Sequence, residues 1–351
     1  MSTLSLSSQV RPTRSLSTSA LSGLGVLAVL VGIGLTQLLD SSGYALPVVL
    51  SALAYVVLAP LAVLAVEGRR SAVDRLFTTL AWGSFLLALV PLVSVVALVV
   101  KNGAARFDAD FLTHSMRGIG PKDTNGGAYH AIIGTLEQVG LASLIAIPIG
   151  LLAAVYVVEH GHGWLVSAVR FVTDVMTGVP SIVAGLFVFT FWVLALGRGF
   201  SGFAAAMALA ILMLPTVVRT TEVVLSLVPD TLREAALALG VPRWKTVVSV
   251  VLPTAASGIT TGIVLAIARV TGETAPLLLT ALNFDSINAN PFKCQQAGLP
   301  SYVFAQAGQP QQAAIDRAWA GALTLLLLVL LLNLFARLFA RSTSSSTRPK
   351  G

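Results

Sequence analysis

Charged side chains are scarce in this chain: 11% of its 351 residues are Asp, Glu, Lys or Arg, against about 25% in an average soluble protein. With 56% apolar residues and a mean hydropathy of +0.86, the chain does not fit a water-soluble globular class. It reads instead as an all-α polytopic membrane protein. Its single cysteine, Cys294, excludes an internal disulfide framework and a cysteine metal site. No G-x-x-x-x-G-K-[ST] stretch is present, so the chain has no phosphate loop with which to hydrolyse ATP itself. HExxH and GxSxG are missing too, which leaves an intramembrane hydrolase without its chemistry. The four histidines, His114, His130, His160 and His162, form no ligand pattern and read as loop or interface residues, so no metal site and no bound cofactor are expected. A net charge of +7 could suggest nucleic acid, but the basic residues are dispersed between apolar runs. They serve better as topology signals and lipid contacts.

Eight apolar segments are present, at about Ala20–Leu39, Tyr44–Val66, Thr79–Val100, Ala131–Val158, Val166–Leu196, Gly202–Val223, Thr254–Leu282 and Trp319–Ala340. Runs of this length are too long for barrel strands and satisfy their backbone in lipid only as helices. Pro47, Pro60, Pro91, Pro148, Pro180, Pro215 and Pro276 fall inside them, so kinks are expected. With both termini cytoplasmic, thirteen Lys and Arg lie on the inner side and seven on the outer, the bias expected for that orientation. The Ser/Thr-rich ends, Met1–Ser19 and Ser342–Gly351, carry no apolar periodicity and are expected to be disordered tails.

Composition divides the chain. Residues 1–76 hold a tail and an accessory pair of spans that ends in the charged linker Glu67–Asp74. Residues 77–341 hold a six-span core with long outer loops, ionisable residues at membrane depth and, within 224–253, an amphipathic loop; residues 342–351 are the second tail.

That loop reads EAALALGVPRWKTVVSVVLP from Glu234 to Pro253. Asp230 or Thr231 is available as an N-cap, the alanines favour helix, Gly240 is a natural stop and Pro242 restarts the chain. Two short helices folded over Gly240 are expected, with Glu234, Ala235 and Ala236 offered to another protein.

In the next span Arg269 and Glu273 stand four apart, which on a continuous helix places both on one face. Small residues at Ala266, Gly262 and Gly258 continue that face and suit close helix packing. Arg219, in LPTVVRTTEVV, lies near the end of the preceding span; its planar fork suits a tetrahedral oxyanion. Glu137 and Asp174 fall near membrane faces and read as solvated helix ends.

The loop resembles the EAA segment of binding-protein-dependent ABC importer permeases: EAA, three residues, Gly, nine residues, an apolar residue, any residue, Leu-Pro. Glu234-Ala235-Ala236, Gly240, Val250 and Leu252-Pro253 fill it, with Val250 in place of the usual isoleucine. Three further stretches narrow the resemblance to the phosphate-specific PstA-type branch. They are Arg269 to Leu278 (R-x-x-GETAPLL), Val179 to Phe187 (VPSIV-x-GLF) and Leu214 to Glu222. The likeness covers roughly Leu76 to Arg341, and the first two spans depart from the six-span pattern.

The resemblance implies a phosphate permease in the bacterial plasma membrane. It implies assembly with a second permease of the PstC type, two cytoplasmic ATPase subunits that carry ATP and Mg, and an extracytoplasmic phosphate-binding protein. It further implies that Arg219, Arg269 and Glu273 line or gate the substrate path and that Glu234, Ala235, Ala236 and Gly240 couple to the ATPase. Another oxyanion, sulfate or molybdate, is the alternative cargo, and an ATPase-independent secondary transporter is the alternative class.

Overall fold

A computed structural model of the chain describes residues 16–38 and 45–345. The outermost parts of the two tails, 1–15 and 346–351, lie outside the described residues. Every regular element among those described is helical. The helices are α1 (Thr18–Leu38), α2 (Ala45–Glu67), α3 (Arg69–Gly103), α4 (Ala109–Thr113), α5 (Tyr129–His160), α6 (Trp164–Gly178), α7 (Ser181–Val188), α8 (Gly202–Ser226), α9 (Asp230–Ala238), α10 (Arg243–Thr246), α11 (Leu252–Thr271), α12 (Ala275–Thr280), α13 (Leu299–Ala307) and α14 (Gln312–Ser345). Seven helices are long and apolar enough to cross a membrane, or eight when the bent pair α6 and Ser181–Ala195 counts as one span.

The chain forms two compact units, divided between Ala97 and Leu98, farther along than the composition boundary at 76. In the first unit α1 and α2 form a hairpin packed through small residues. Gly32 lies too close to Ser51 for any Cβ to fit, and Ala28, Ala59 and Val63 are buried. The outward positions, including Val26, Leu30, Val48 and Leu53, are apolar and exposed, as a lipid-facing surface requires. The expected charged linker is shorter than its composition suggests. Gly68, at φ +94°, is the whole break between α2 and α3, and helix resumes at Arg69.

The second unit is built on α5 and α8. Ala204, Ala205, Ala206 and Ala208 of α8 are fully buried, so backbones approach closely, which is how apolar helices gain packing where lipid removes the hydrophobic drive. Gly150 of α5 sits where a Cβ would come within 2.8 Å of Val217. α11 packs on α8 in the opposite chain direction: a Cβ on Gly258 would meet Val224 at 2.5 Å, and one on Gly262 would meet Thr220 at 2.6 Å. The small-residue stripe read from the sequence is the α8–α11 contact.

Two expected spans are interrupted. Val166–Leu196 turns through 106° between α6 and α7 at Val179-Pro180, because proline cannot continue the ladder of α6. Thr254–Leu282 stops at Thr271, where Gly272 and Glu273 supply no apolar surface and Pro276 enters the first turn of α12. The following return segment is tied to α5 by a buried polar knot. Gln138 donates to the Gln296 carbonyl at 3.1 Å and Gln296 donates to Glu137 at 2.5 Å. Glu137 is thus a half-buried acceptor inside the fold rather than a solvated helix end.

Candidate functional site

The glycine-broken loop is an elbow of α9 and α10. Pro229 occupies the N-cap position of α9 and no side chain caps the helix. The capping expected of Asp230 or Thr231 therefore does not occur; Asp230 already lies in the first turn and its carboxylate instead accepts from Arg233 at 3.0 Å. α9 ends with Gly240 at φ +78°, a left-handed conformation natural to glycine after a helix. α10 then runs through a π-turn at Val247–Val251 into α11 without a break.

Glu234, Ala235 and Gly240 are exposed. So are Leu239 and Trp244, at 85% and 69%, so a large apolar surface and charged residues share one outward face. Ala236 is buried and faces the protein's own interior. Behind the elbow, Leu225, Val228, Val251, Ala255 and Ile259 form a cluster backed by Leu151 and Val155.

Arg219 is engaged in an ion pair that sequence spacing shows only in part. It bonds Glu222 of its own helix at 3.2 Å, and Arg170 of α6 bonds the other oxygen of the same carboxylate at 3.0 Å. Glu222 is the more enclosed member, its side chain 14% exposed.

Arg269 is exposed, and among the described residues no ion pair joins it to Glu273. The shared helix face expected for these two is lost, because α11 ends at Thr271 with Gly272 as its C-cap, and the chain has turned before Glu273. Since Thr220 abuts Gly262, and seven residues of helix advance about 10 Å, Arg269 lies about that far along α11 from the level of Arg219. The two arginines stand at different depths on adjoining helices.

The break at Gly272 brings the two quoted signatures together. α7, from the VPSIV-x-GLF stretch, packs on α12, from the GETAPLL stretch. Their contact is Gly185 against Pro276. Ser201 donates its amide to the Thr280 carbonyl at 3.2 Å, tying the end of α12 to the start of α8.

At the end opposite the elbow, a second set of polar residues organises the loop from Asn102 to Ala128. Arg317, 1% exposed, donates to Gln306 at 3.1 Å and to the carbonyls of Asp123 and Asn125. Asp108 caps α4 by accepting the Phe111 amide at 2.7 Å. That bond, helped by Arg106, holds the Asp108 carboxyl below its ordinary range. Burial pushes the Tyr302 phenol up and the Asp285 carboxyl up; Asp285 and Arg317 line a cavity of about 220 Å³. Spacing could not have found these partners, because Arg317 and Asp123 are 194 residues apart. Among the described residues no His, Cys, Asp or Glu group is arranged to hold a metal.

Known proteins resemble this chain. The family described as binding-protein-dependent transport system inner membrane component matches residues 146–345. The phosphate transport system permease protein PstA of Mycobacterium leprae is 47% identical over 277 residues, covering 78% of this chain and 89% of that protein. PstA 1 of Mycobacterium tuberculosis is 48% identical over 262 residues, covering 74% of this chain and 86% of that protein. Among solved structures, a chain of the MetNI methionine ABC transporter in an inward-facing form superposes with a TM-score of 0.50 at 20% identity, covering 60% of this chain and 94% of that one; the likeness shows a shared fold. These matches make the chain a member of the binding-protein-dependent inner membrane permease family, within its PstA branch.

Proposed function

We propose that this chain is a membrane permease subunit of an ATP-driven phosphate importer. The observation that carries the reading is the elbow: a glycine turn that presents Glu234, Ala235, Leu239, Gly240 and Trp244 outward, while its helices pack on the Val247–Val251 turn that leads into α11 and Arg233 ties it to α5 and α8. Such a surface on a chain with no phosphate loop suits a partner that supplies the energy. The PstA relatives support phosphate as the cargo.

In this account two ATPase subunits, carrying ATP and Mg, grip the elbows of this chain and of a PstC-type second permease. A phosphate-binding protein delivers the ion at the opposite face. The elbow and both termini are cytoplasmic, in keeping with the excess of Lys and Arg on that side. ATP binding closes the ATPase pair and displaces α9 and α10. Because α10 is continuous with α11, and α9 follows α8 after three residues, the displacement reaches the helices that carry Arg219 and Arg269. The path then changes the side to which it opens.

Arg219 and Arg269, at their two depths, pass the anion from one cation to the next. Glu222 competes for Arg219, which keeps the arginine from holding phosphate too firmly. Conduction needs such a compromise, since a site that binds too well does not release. Glu273, on the break after α11, lies beside the path without neutralising Arg269. The test is uptake of labelled phosphate into vesicles containing the full complex. It should require ATP and resist excess sulfate or molybdate; uptake driven by an ion gradient without ATP would contradict the reading.

A further inference from the structure

Arg233 makes four hydrogen bonds from the first turns of α9, and they reach two other helices. Its Nε donates to Glu159, at the end of α5, at 3.3 Å. Nη1 donates to the Val228 carbonyl at 2.7 Å and to Asp230 at 3.0 Å. Nη2 donates to the Leu225 carbonyl at 3.2 Å. The carbonyls of a helix's last turn have no partner within the helix and carry partial negative charge, so the guanidinium closes the end of α8 chemically as well as electrostatically. The side chains of Arg233 and Glu159 are 17% and 20% exposed, which limits screening by solvent.

From this geometry we infer that Arg233 is the positioning residue that makes α9, α8 and α5 move as one body when the elbow is pushed. The inference rests on the permease reading given above. Only Leu227–Pro229 separates α8 from α9, and three residues of backbone can hinge. The guanidinium spans that hinge and fastens both sides of it, while Glu159 adds the neighbouring span. Arg219 and Glu222 lie on α8 within two turns of the Leu225 carbonyl that Arg233 holds. A displacement of α9 is therefore delivered to Arg219 and Glu222 instead of being absorbed in the hinge. Lysine cannot substitute, because its ammonium is a point donor without the planar fork that addresses both carbonyls and a carboxylate together.

The test uses the whole complex, with both permeases, the ATPases and the phosphate-binding protein, in proteoliposomes. Phosphate imported per ATP hydrolysed is measured for the wild type, Arg233→Gln, Arg233→Lys and Glu159→Gln. A residue that merely held the fold together would lower complex yield and leave that ratio unchanged in the complexes that form. We expect the ratio to fall at least about five-fold in both Arg233 variants, the lower range of ordinary coupling between distant sites, with the ATPase still bound. A smaller drop is expected for Glu159→Gln, which keeps an acceptor oxygen but takes the charge from one of the four bonds. An unchanged ratio in Arg233→Gln overturns the inference while leaving the permease reading intact. Should neither Arg233 variant assemble, an unchanged ratio in Glu159→Gln overturns it. A wild-type complex that imports no phosphate with ATP removes the permease reading, and this inference with it.

Discussion

Gly185 of α7 rests against Pro276 of α12, where a Cβ on the glycine would come within 2.6 Å of the proline Cα. Two short helices, each beginning just after a break in its span, meet at that point with backbone against backbone. A side chain there cannot be accommodated by turning a rotamer, because the obstacle is main chain. Gly185→Val should therefore force α7 from α12, at a cost of about 1–3 kcal/mol. Thermal unfolding of the purified chain should show the loss, whereas Gly178→Val, at a glycine with open space around it, should be milder.

The arginine ladder yields a second expectation. Arg269→Gln should reduce phosphate uptake at least about ten-fold, equivalent to about 1.4 kcal/mol in the transport barrier, while the complex still assembles. Glu222→Gln frees both Arg170 and Arg219 from their shared carboxylate. It should tighten retention of phosphate and slow release, so maximal uptake falls while half-saturation shifts to lower phosphate. Uptake near wild type in Arg269→Gln would remove the gating role.

A third expectation concerns pH at the opposite face. The Asp108 carboxyl titrates below its unfolded value of about 3.8, so the folded state binds fewer protons than the unfolded one between those two values. Its contribution to the α4 turn is present above pH 3.8 and is lost as pH falls through the lowered value. Protection of the Phe111 amide against hydrogen exchange, corrected for the intrinsic rate, should follow that course. Asp108→Ala should weaken the turn above pH 3.8, by about 0.5–1 kcal/mol as for other exposed caps, and its difference from the wild type should shrink as pH falls through the lowered value.

Much of the fold is legible in the sequence, since apolar run length marks the spans and Gly240 with Pro242 marks the elbow. What resists reading is where a span is broken. Pro180 reads as a kink within one span, yet the chain turns through 106° there, because Val179-Pro180 is followed by a segment with its own packing partner in α12. Gly272 is equally visible, but a helix-face argument for Arg269 and Glu273 assumes that the helix runs through it. The ion pairs were illegible for a different reason. Arg170 and Glu222 are 52 residues apart and Arg233 and Glu159 are 74 apart, so their meeting depends on which helices pack together, and local spacing is silent on that. Small residues marked a face for close packing, and the structure sets Gly258 and Gly262 of α11 against Val224 and Thr220 of α8.

The elbow carries the account, and Gly240 gives a way to alter it with little change elsewhere. No atom would obstruct a Cβ at that position. Its φ of +78° nevertheless disfavours a side chain by about 1–2 kcal/mol, most for a β-branched one. Gly240→Val should leave the spans folded and lower ATPase retention on the chain, and Glu234→Lys should do so by charge alone.

The most direct measurement is purification of the intact chain from its native membrane with identification of the bound subunits, for the wild type and for Gly240→Val. The account predicts that an ATPase and a second permease accompany the wild type and that the ATPase is lost or much reduced from the variant. A wild-type chain that retains no ATPase, or a variant that retains it as well as the wild type does, would contradict the claim that this elbow couples the permease to its energy source.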